Sequence, residues 1–130
     1  MSQRLPSIYY GPSEVAGRGV FTYQDIPEGA LLEICPVIVV PKSQFQQIHT
    51  SVLHDYYFLW GEAEKECAIA LGFGSLYNHS HEPNAFYLVD YEEQYIQFFA
   101  KRDIEAGEEI FVTYNGDAGV QHQVWFENKD

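Results

Sequence analysis

The sequence predicts a mainly β protein in which about eight short strands accompany a single helix. Apolar, β-branched and aromatic runs are separated throughout by glycine, proline and acidic residues, a pattern typical of strands joined by turns. Only one stretch has the apolar spacing of an amphipathic helix. Because strands and helices do not alternate regularly along the chain, we do not expect a doubly wound parallel sheet.

Residues 31–40 form the longest strand candidate. The run is apolar and β-branched, and Pro36 with the following Pro41 places it at the edge of a sheet, since proline cannot donate to a strand ladder. The other strand candidates are shorter. They are residues 7–10, a strand that starts at Phe21, and residues 67–71, 85–91, 94–101 and 109–114.

The helix is expected over residues 43–54, with Ser43 as its N-cap. Its apolar face consists of Phe45, Ile48, Val52 and Tyr56. Two histidines lie off that face and are expected to be solvated, namely His49 and His54. The aromatic run at residues 56–60 follows. It suits a core strand, and the alternative interpretation is a box of aromatic faces that holds a cation.

Two segments of the chain repeat one another. Residues 21–32 (FTYQDIPEGALL) and residues 99–110 (FAKRDIEAGEEI) share Phe, Asp, Ile and Gly at the same offsets. Each copy is expected to be a strand, a tight glycine turn and another strand. Two copies are too few for a solenoid, which needs several stacked units, so we expect two similar corners in one fold.

Length and charge limit the classes of function. The 130 residues predict a single domain, and nineteen acidic side chains against seven basic ones give a formal charge of −12. That charge argues against nucleic acid as a partner, which requires a basic face. It suits a basic protein partner, although a merely solubilising acidic surface would look the same.

The two cysteines and the first residues indicate the compartment. Cys35 and Cys67 lie in apolar runs and are expected to be reduced core residues, with a disulfide between them as the less favoured alternative. Residues 1–6 lack the apolar centre of a signal peptide, and no window approaches a membrane span. We therefore expect a soluble intracellular protein, either cytoplasmic or nuclear, without a membrane partner.

The densest group of polar side chains is the loop at residues 77–84, Tyr-Asn-His-Ser-His-Glu-Pro-Asn. Strand candidates flank it on both sides, as expected for a binding loop held by rigid elements. Simpler interpretations are an Asx-rich turn, a glycosylation acceptor at Asn78, or a metal site that uses His79 and His81. No Cys or His pair stands at ligand spacing nearby, which disfavours the metal site.

Three motifs now stand in order along the chain. They are Gly17-Arg18-Gly19-Val20-Phe21, Asn78-His79-Ser80 followed by Pro83-Asn84, and GEEIFVTY at residues 107–114. Together they resemble the SET domain, the fold of a large class of protein lysine methyltransferases, and the resemblance runs from residue 7 to residue 125. It implies several small curved sheets, one short helix, and a C-terminal pseudoknot in which the chain after Tyr114 threads beneath a loop. The core would be residues 7–116, followed by an aromatic tail at residues 117–130.

The resemblance implies S-adenosylmethionine as methyl donor and S-adenosylhomocysteine as product. The positions that match the donor site are Gly17, Arg18, Gly19, Asn78, His79, Tyr114 and Trp125. Backbone around Arg18 and Gly19 would line the methionine part. Asn78 and His79 would fix the adenosine end, with the Asn78 side chain near the donor's amine and Trp125 near the adenine. Tyr114 matches the family's catalytic tyrosine, which sits where the methyl group meets the substrate nitrogen.

The implied substrate is the ε-amine of a lysine in a basic protein, such as a histone-like, ribosomal or DNA-binding protein. A free lysine has a pKa of about 10.4 and is charged at neutral pH, and a narrow aromatic channel disfavours that charge. The channel positions implied by the resemblance are Tyr56, Tyr87, Val112 and Phe126. Val112 gives room whereas Tyr87 restricts it, so the number of methyl groups added stays open.

The chain departs from larger SET proteins at its end. No cysteine follows Tyr114, so the zinc cluster of larger members is missing, no metal is expected, and Trp125 with Phe126 would close the channel by packing. The chain resembles the minimal SET proteins of bacteria and viruses, some of which pair into homodimers. A second hypothesis is a SET-fold module that binds a basic peptide without catalysis.

Overall fold

The computed structural model describes residues 3–61 and 66–113. Within these ranges the chain forms two small sheets, short 3₁₀ turns and one short helix, which confirms the predicted mainly β fold. None of the helices in this described part of the chain is long and apolar enough to cross a membrane. The predicted pseudoknot, Tyr114, Trp125 and Phe126 lie outside the described residues.

The strands are β1 (Ile8–Pro12), β2 (Arg18–Thr22), β3 (Leu31–Val40), β4 (Tyr57–Trp60), β5 (Glu66–Ala70), β6 (Asn78–His79), β7 (Ala85–Asp90), β8 (Tyr95–Ala100) and β9 (Glu109–Val112). A four-stranded sheet has the order β1-β2-β9-β6, and a five-stranded sheet has the order β4-β5-β3-β8-β7. All neighbours are antiparallel except β6 and β9, which run parallel. The first sheet therefore joins an early, a middle and a late segment of the chain.

The long strand β3 lies in the middle of its sheet, so the prediction that its prolines place it at an edge is wrong. The strand changes partner at Pro36, because residues 31–36 pair with β8 and residues 37–40 pair with β5. At this changeover the missing N–H of Pro36 is tolerated, while its carbonyl accepts a hydrogen bond from the N–H of Leu71 at 2.9 Å.

The helix α1 (Phe45–His49) is much shorter than the predicted range of residues 43–54, and the prediction of Ser43 as its N-cap is wrong. The cap position is Gln44, and no side chain bonds there. The helix ends because the backbone becomes extended at Ser51, with a ψ of −179°, and the Ser51 hydroxyl accepts from the N–H of Leu53 at 3.1 Å to cap the following 3₁₀ turn. The Gln46 carbonyl still accepts the helical hydrogen bond from the N–H of Thr50 at 3.0 Å.

The predicted apolar face of this helix is present only in part. Phe45 and Ile48 pack against a small buried cluster that includes Tyr57, whereas Val52 is 84% exposed. The expectation that His49 is solvated is wrong, since its ring stacks on Phe45 and its Nδ1 lies 3.0 Å from the Tyr57 hydroxyl. The aromatic run forms β4 with most of its rings buried, as the core-strand interpretation predicts.

The two repeated segments face each other as a matched pair of corners. Ile26 and Ile104, which hold equivalent positions, each donate an N–H to the other's carbonyl at 2.8 Å. Gly29 and Gly107 are equivalent too, and both have a positive φ, +88° and +94°, that favours glycine. The sequence repeat therefore corresponds to an approximate two-fold relation within the domain.

Two aspartates connect the corners through a second pair of reciprocal hydrogen bonds. The Asp103 carboxylate accepts a hydrogen bond from the N–H of Glu28 at 2.8 Å, and the Asp25 carboxylate accepts one from the N–H of Ala106 at 2.9 Å. Each carboxylate thus satisfies a backbone donor in the turn of the other copy.

One main cluster of buried side chains joins both sheets. It contains Val20 and Ile110 from the four-stranded sheet, and Leu32 and Phe98 from the five-stranded sheet. The cysteines lie in the core and are free, as predicted. Burial raises the pKa of the Cys67 thiol to about 11 and also raises the pKa of Cys35, so both thiols stay protonated at neutral pH.

The paired corners give a direct stability test. Asp25→Ala and Asp103→Ala each remove a carboxylate that accepts a backbone N–H of the other corner, so we expect the free energy of unfolding to fall by about 1 kcal/mol in each variant. Urea unfolding followed by circular dichroism measures this. Glu28→Ala is the matched control, since its carboxylate makes no hydrogen bond in the described part of the chain. Wild-type stability in both Asp variants would contradict the pairing.

Candidate active site

The loop that contains Asn78 meets the late segment of the chain through a two-residue parallel strand pair. In the β6–β9 register, Asn78 lies opposite Phe111 and His79 lies opposite Val112. The N–H of Ser80 extends the pairing by donating to the Val112 carbonyl at 3.0 Å. The second and third sequence motifs therefore form one surface.

Asn84 is buried, and its side-chain amide adds a further rung to this pairing. Its Nδ2 donates to the Glu109 carbonyl at 2.9 Å, and its Oδ1 accepts from the N–H of Phe111 at 2.8 Å. The amide thus satisfies one acceptor and one donor of the β9 backbone, as buried peptide groups require. The end of the motif loop is held on β9 by these two bonds.

The first motif contacts the β6–β9 pair through the side chain of Asn78. The Asn78 Nδ2 donates to the Arg18 carbonyl at 2.9 Å and to the Glu109 Oε2 at 2.8 Å. Gly19 lies at this crossing, and a Cβ there would collide with the Glu109 carboxylate and lie 3.0 Å from the Asn78 Nδ2. By contrast, a Cβ at Gly17 would meet nothing within 4 Å. The structure therefore brings together Arg18, Gly19 and Asn78, which the motifs assign to one site.

Ser13 and Glu109 join this site although neither was predicted as a site residue. The Ser13 hydroxyl donates to the Glu109 Oε1 at 2.8 Å, and the same Oγ accepts from the N–H groups of Val15 and Ala16. The place of Glu109 inside the third motif was the available signal. For Ser13 there was none, because its partner lies 96 residues away in the chain.

A buried carboxylate anchors the start of the motif loop. Glu33 of β3 accepts from the Tyr77 hydroxyl at 2.7 Å and from the N–H of Phe73 at 2.9 Å. The Arg4 guanidinium lies 3.1 Å from the same carboxylate and stacks on the Phe73 ring. Burial, followed by the Glu33 charge, raises the pKa of Tyr77 well above its ordinary value, so its hydroxyl remains a donor. Tyr77 directly precedes Asn78, and the cluster fixes where the loop begins.

The residues predicted to line a lysine channel occupy different environments. Tyr87 and Val112 belong to one buried cluster, in which the Tyr87 ring meets Phe58 edge to face with centroids 5.3 Å apart. Tyr56 follows the 3₁₀ turn at Val52–Asp55 and is 38% exposed. The structure thus brings Tyr87 and Val112 into one core and places Tyr56 at the surface.

The two histidines of the loop pack against each other. The rings of His79 and His81 are nearly perpendicular, with centroids 4.9 Å apart. Between residues 3–61 and 66–113, no group of three or more His, Cys, Asp or Glu side chains is arranged to hold a metal ion. The geometry therefore gives the metal-site interpretation no support.

Comparison with known proteins bears on this arrangement of motifs. The family model for the SET domain matches residues 17–115. The chain belongs to the SET-domain family. This SET domain is also 35% identical over 118 residues to a histone-lysine N-methyltransferase of Schizosaccharomyces pombe that is specific for H3 lysine-37, and the match covers 90% of this chain and 75% of that protein. The family and this relative confirm the expected enzyme class, a protein-lysine N-methyltransferase.

Solved structures share the fold of this SET domain. A candidate histone methyltransferase of Plasmodium falciparum has a TM-score of 0.61 and 28% identity, over 83% of this chain and 92% of that one. Polycomb repressive complex 2 of Chaetomium thermophilum, bound to S-adenosylmethionine, has a TM-score of 0.70 and 22% identity. That match covers 85% of this chain but only 15% of the polycomb chain, and it shows the fold alone.

The close approach of the Glu109 and Asn78 side chains to Gly19 can be tested by substitution. Gly19→Ala introduces a Cβ against the Glu109 carboxylate and the Asn78 amide, so we expect the free energy of unfolding to fall by about 1–3 kcal/mol. Gly17→Ala is the matched control in the same motif and should stay within about 0.5 kcal/mol of wild type. Urea unfolding of both variants decides the point, and equal effects of the two substitutions would contradict the close approach at Gly19.

Proposed function

We propose that this SET domain transfers the methyl group of S-adenosylmethionine to the ε-amine of a lysine in a basic protein. One observation carries the proposal, namely the meeting of three distant motifs at the Asn78 amide, which bonds Arg18 and Glu109. The absence of a side chain at Gly19 lets the Glu109 carboxylate and the Asn78 amide approach the backbone at that meeting point. A site assembled from three parts of the chain is what recognition of a composite ligand needs.

The residues at this point suit the methionine end of the donor. The Asn78 Nδ2 uses its two hydrogens on the Arg18 carbonyl and the Glu109 carboxylate, which leaves Oδ1 to accept from an ammonium group. The negative charge of Glu109 favours a cationic ligand. We assign to the donor site the residues Gly17, Arg18, Gly19, Asn78, His79, Tyr114 and Trp125.

When bound, the donor would supply a methyl group on a positively charged sulfur, and this chain's residues would supply position and desolvation. The substrate lysine must lose its proton, because its pKa of about 10.4 keeps it charged at neutral pH. Tyr87 and Val112, which lie in the buried cluster, would supply an apolar wall that disfavours the charged amine. Tyr114 would orient the amine or the methyl group with its hydroxyl, while water accepts the proton. Tyr56 and Phe126 complete the proposed channel.

The proposed substrate is a basic protein segment, such as a histone tail or another DNA-binding protein. A formal charge of −12 steers positively charged partners toward the domain and disfavours acidic ones. The fission yeast relative, which is named as a histone-lysine N-methyltransferase, supports histones as the first basic proteins to try. We propose that the enzyme acts inside the cell, in the cytoplasm or, if its substrate is chromatin, in the nucleus.

Donor binding and methyl transfer test this proposal in one experiment. Calorimetric titration of S-adenosylmethionine should show saturable one-to-one binding to wild type, and Asn78→Ala should weaken it by about 10–100-fold because an acceptor for a charged group is lost. Mass spectrometry of core histones incubated with wild-type enzyme and donor should then show added methyl groups on lysine.

Tyr114→Phe separates binding from transfer in the same experiment. This variant should bind the donor but transfer methyl groups slower by on the order of 100-fold, since the hydroxyl that orients the reacting groups is gone. Wild-type transfer by Tyr114→Phe would refute its assigned role. Donor binding by wild type, with no transfer to any basic protein tried, would instead favour a module that binds a basic peptide.

A further inference from the structure

Glu109 lies where the Asn78 amide meets the backbone of the first motif, and its carboxylate is held by defined partners. We propose that Glu109 is a positioning residue that fixes the orientation of the Asn78 amide, so that Oδ1 of Asn78 faces the α-ammonium of the methyl donor. This inference rests on the proposed function and deepens it, because it names the part of the donor to which the residue responds.

The hydrogen-bond partners of Asn78 determine which way its amide faces. Its Nδ2 lies 2.9 Å from the Arg18 carbonyl oxygen and 2.8 Å from the Glu109 Oε2. A carbonyl oxygen and an ionised carboxylate can only accept, so a flipped amide would set its own oxygen against two acceptors. The two partners therefore direct Nδ2 toward the protein and leave Oδ1 available to a ligand that donates.

The carboxylate of Glu109 is itself held in place from the other side. The Ser13 hydroxyl donates to its Oε1 at 2.8 Å, and the N–H groups of Val15 and Ala16 donate to the Ser13 Oγ. Gly19 has no side chain, which lets the carboxylate lie against the β2 backbone. The connection between β1 and β2 thus supports Asn78 through Ser13 and Glu109.

The charge around this carboxylate also points to a cationic ligand. Among the residues that the structure describes, the Glu109 carboxylate contacts the neutral donors Ser13 and Asn78. A carboxylate with only neutral partners leaves its negative potential available to an incoming cation. The amino-acid end of the donor carries such a cation in its ammonium group.

Glu109→Gln tests the inference with a side chain of the same shape. A glutamine amide can both donate and accept, so it no longer dictates the orientation of Asn78. Calorimetric titrations use three probes. S-adenosylmethionine and S-adenosylhomocysteine share the ammonium, whereas 5′-methylthioadenosine lacks the whole amino-acid end. We expect Glu109→Gln to weaken binding of the first two by about tenfold each and to leave the third unchanged.

Glu28→Gln is the matched control, because it removes the same charge from an exposed side chain that takes no part in the contacts of Asn78, Asn84 or Glu109. The backbone N–H of Glu28, which donates to the Asp103 carboxylate, is kept in this variant. Its affinities for all three probes should equal those of wild type. Should Glu109→Gln fail to fold, Ser13→Ala carries the test, since it frees the carboxylate from its support and should give the same pattern more weakly.

Three results would overturn the inference while leaving the proposed function intact. The first is unchanged affinity of Glu109→Gln for all probes. The second is equal weakening for all three probes, which would mark a general disturbance of the fold. The third is weakening for S-adenosylmethionine alone, which would mean that the carboxylate responds to the sulfonium. Failure of wild type to bind S-adenosylmethionine would overturn the proposed function, and this inference with it.

Discussion

The candidate site depends on the parallel pairing of β6 with β9 and on the Asn84 amide that extends it. Two rungs of parallel strand are weak on their own, because a pair this short buries little and orders few bonds. The Asn84 side chain adds a donor and an acceptor to the same β9 backbone from within the core. This arrangement fixes the motif loop at its far end, and Asn78 can then bond Arg18 and Glu109 across the sheet.

The near end of the loop is fixed by a different kind of interaction. Glu33 is a fully buried carboxylate that is tolerated because Arg4, Tyr77 and a backbone N–H all donate to it. Removing any of these partners would leave a buried charge less compensated, which is destabilising. The loop is consequently held by a polar cluster before Asn78 and by the Asn84 amide after it. Rigid flanks around a polar loop are what a preorganised binding site requires.

Much of this could be predicted from the sequence, since strand runs, the repeat and the three motifs are local patterns. The repeat predicted two similar corners, although not that Ile26 and Ile104 bond one another. Other features depend on contacts that no local pattern encodes. The apolar spacing suggested a long helix, but the backbone becomes extended at Ser51, which caps a separate 3₁₀ turn. The prolines suggested an edge strand, but β3 changes partner at Pro36. The bond between Ser13 and Glu109 joins segments 96 residues apart and had no sequence signal.

The most direct test of this account is the donor affinity of Asn84→Asp. An aspartate retains an acceptor for the N–H of Phe111 but replaces the amide donor with an oxygen that faces the Glu109 carbonyl. Titration with S-adenosylmethionine at a temperature where circular dichroism shows a folded variant would measure the consequence. We predict a loss of affinity of at least about tenfold, because the pairing that positions Asn78 is broken at its anchor. A folded Asn84→Asp variant that binds the donor as tightly as wild type would contradict the account.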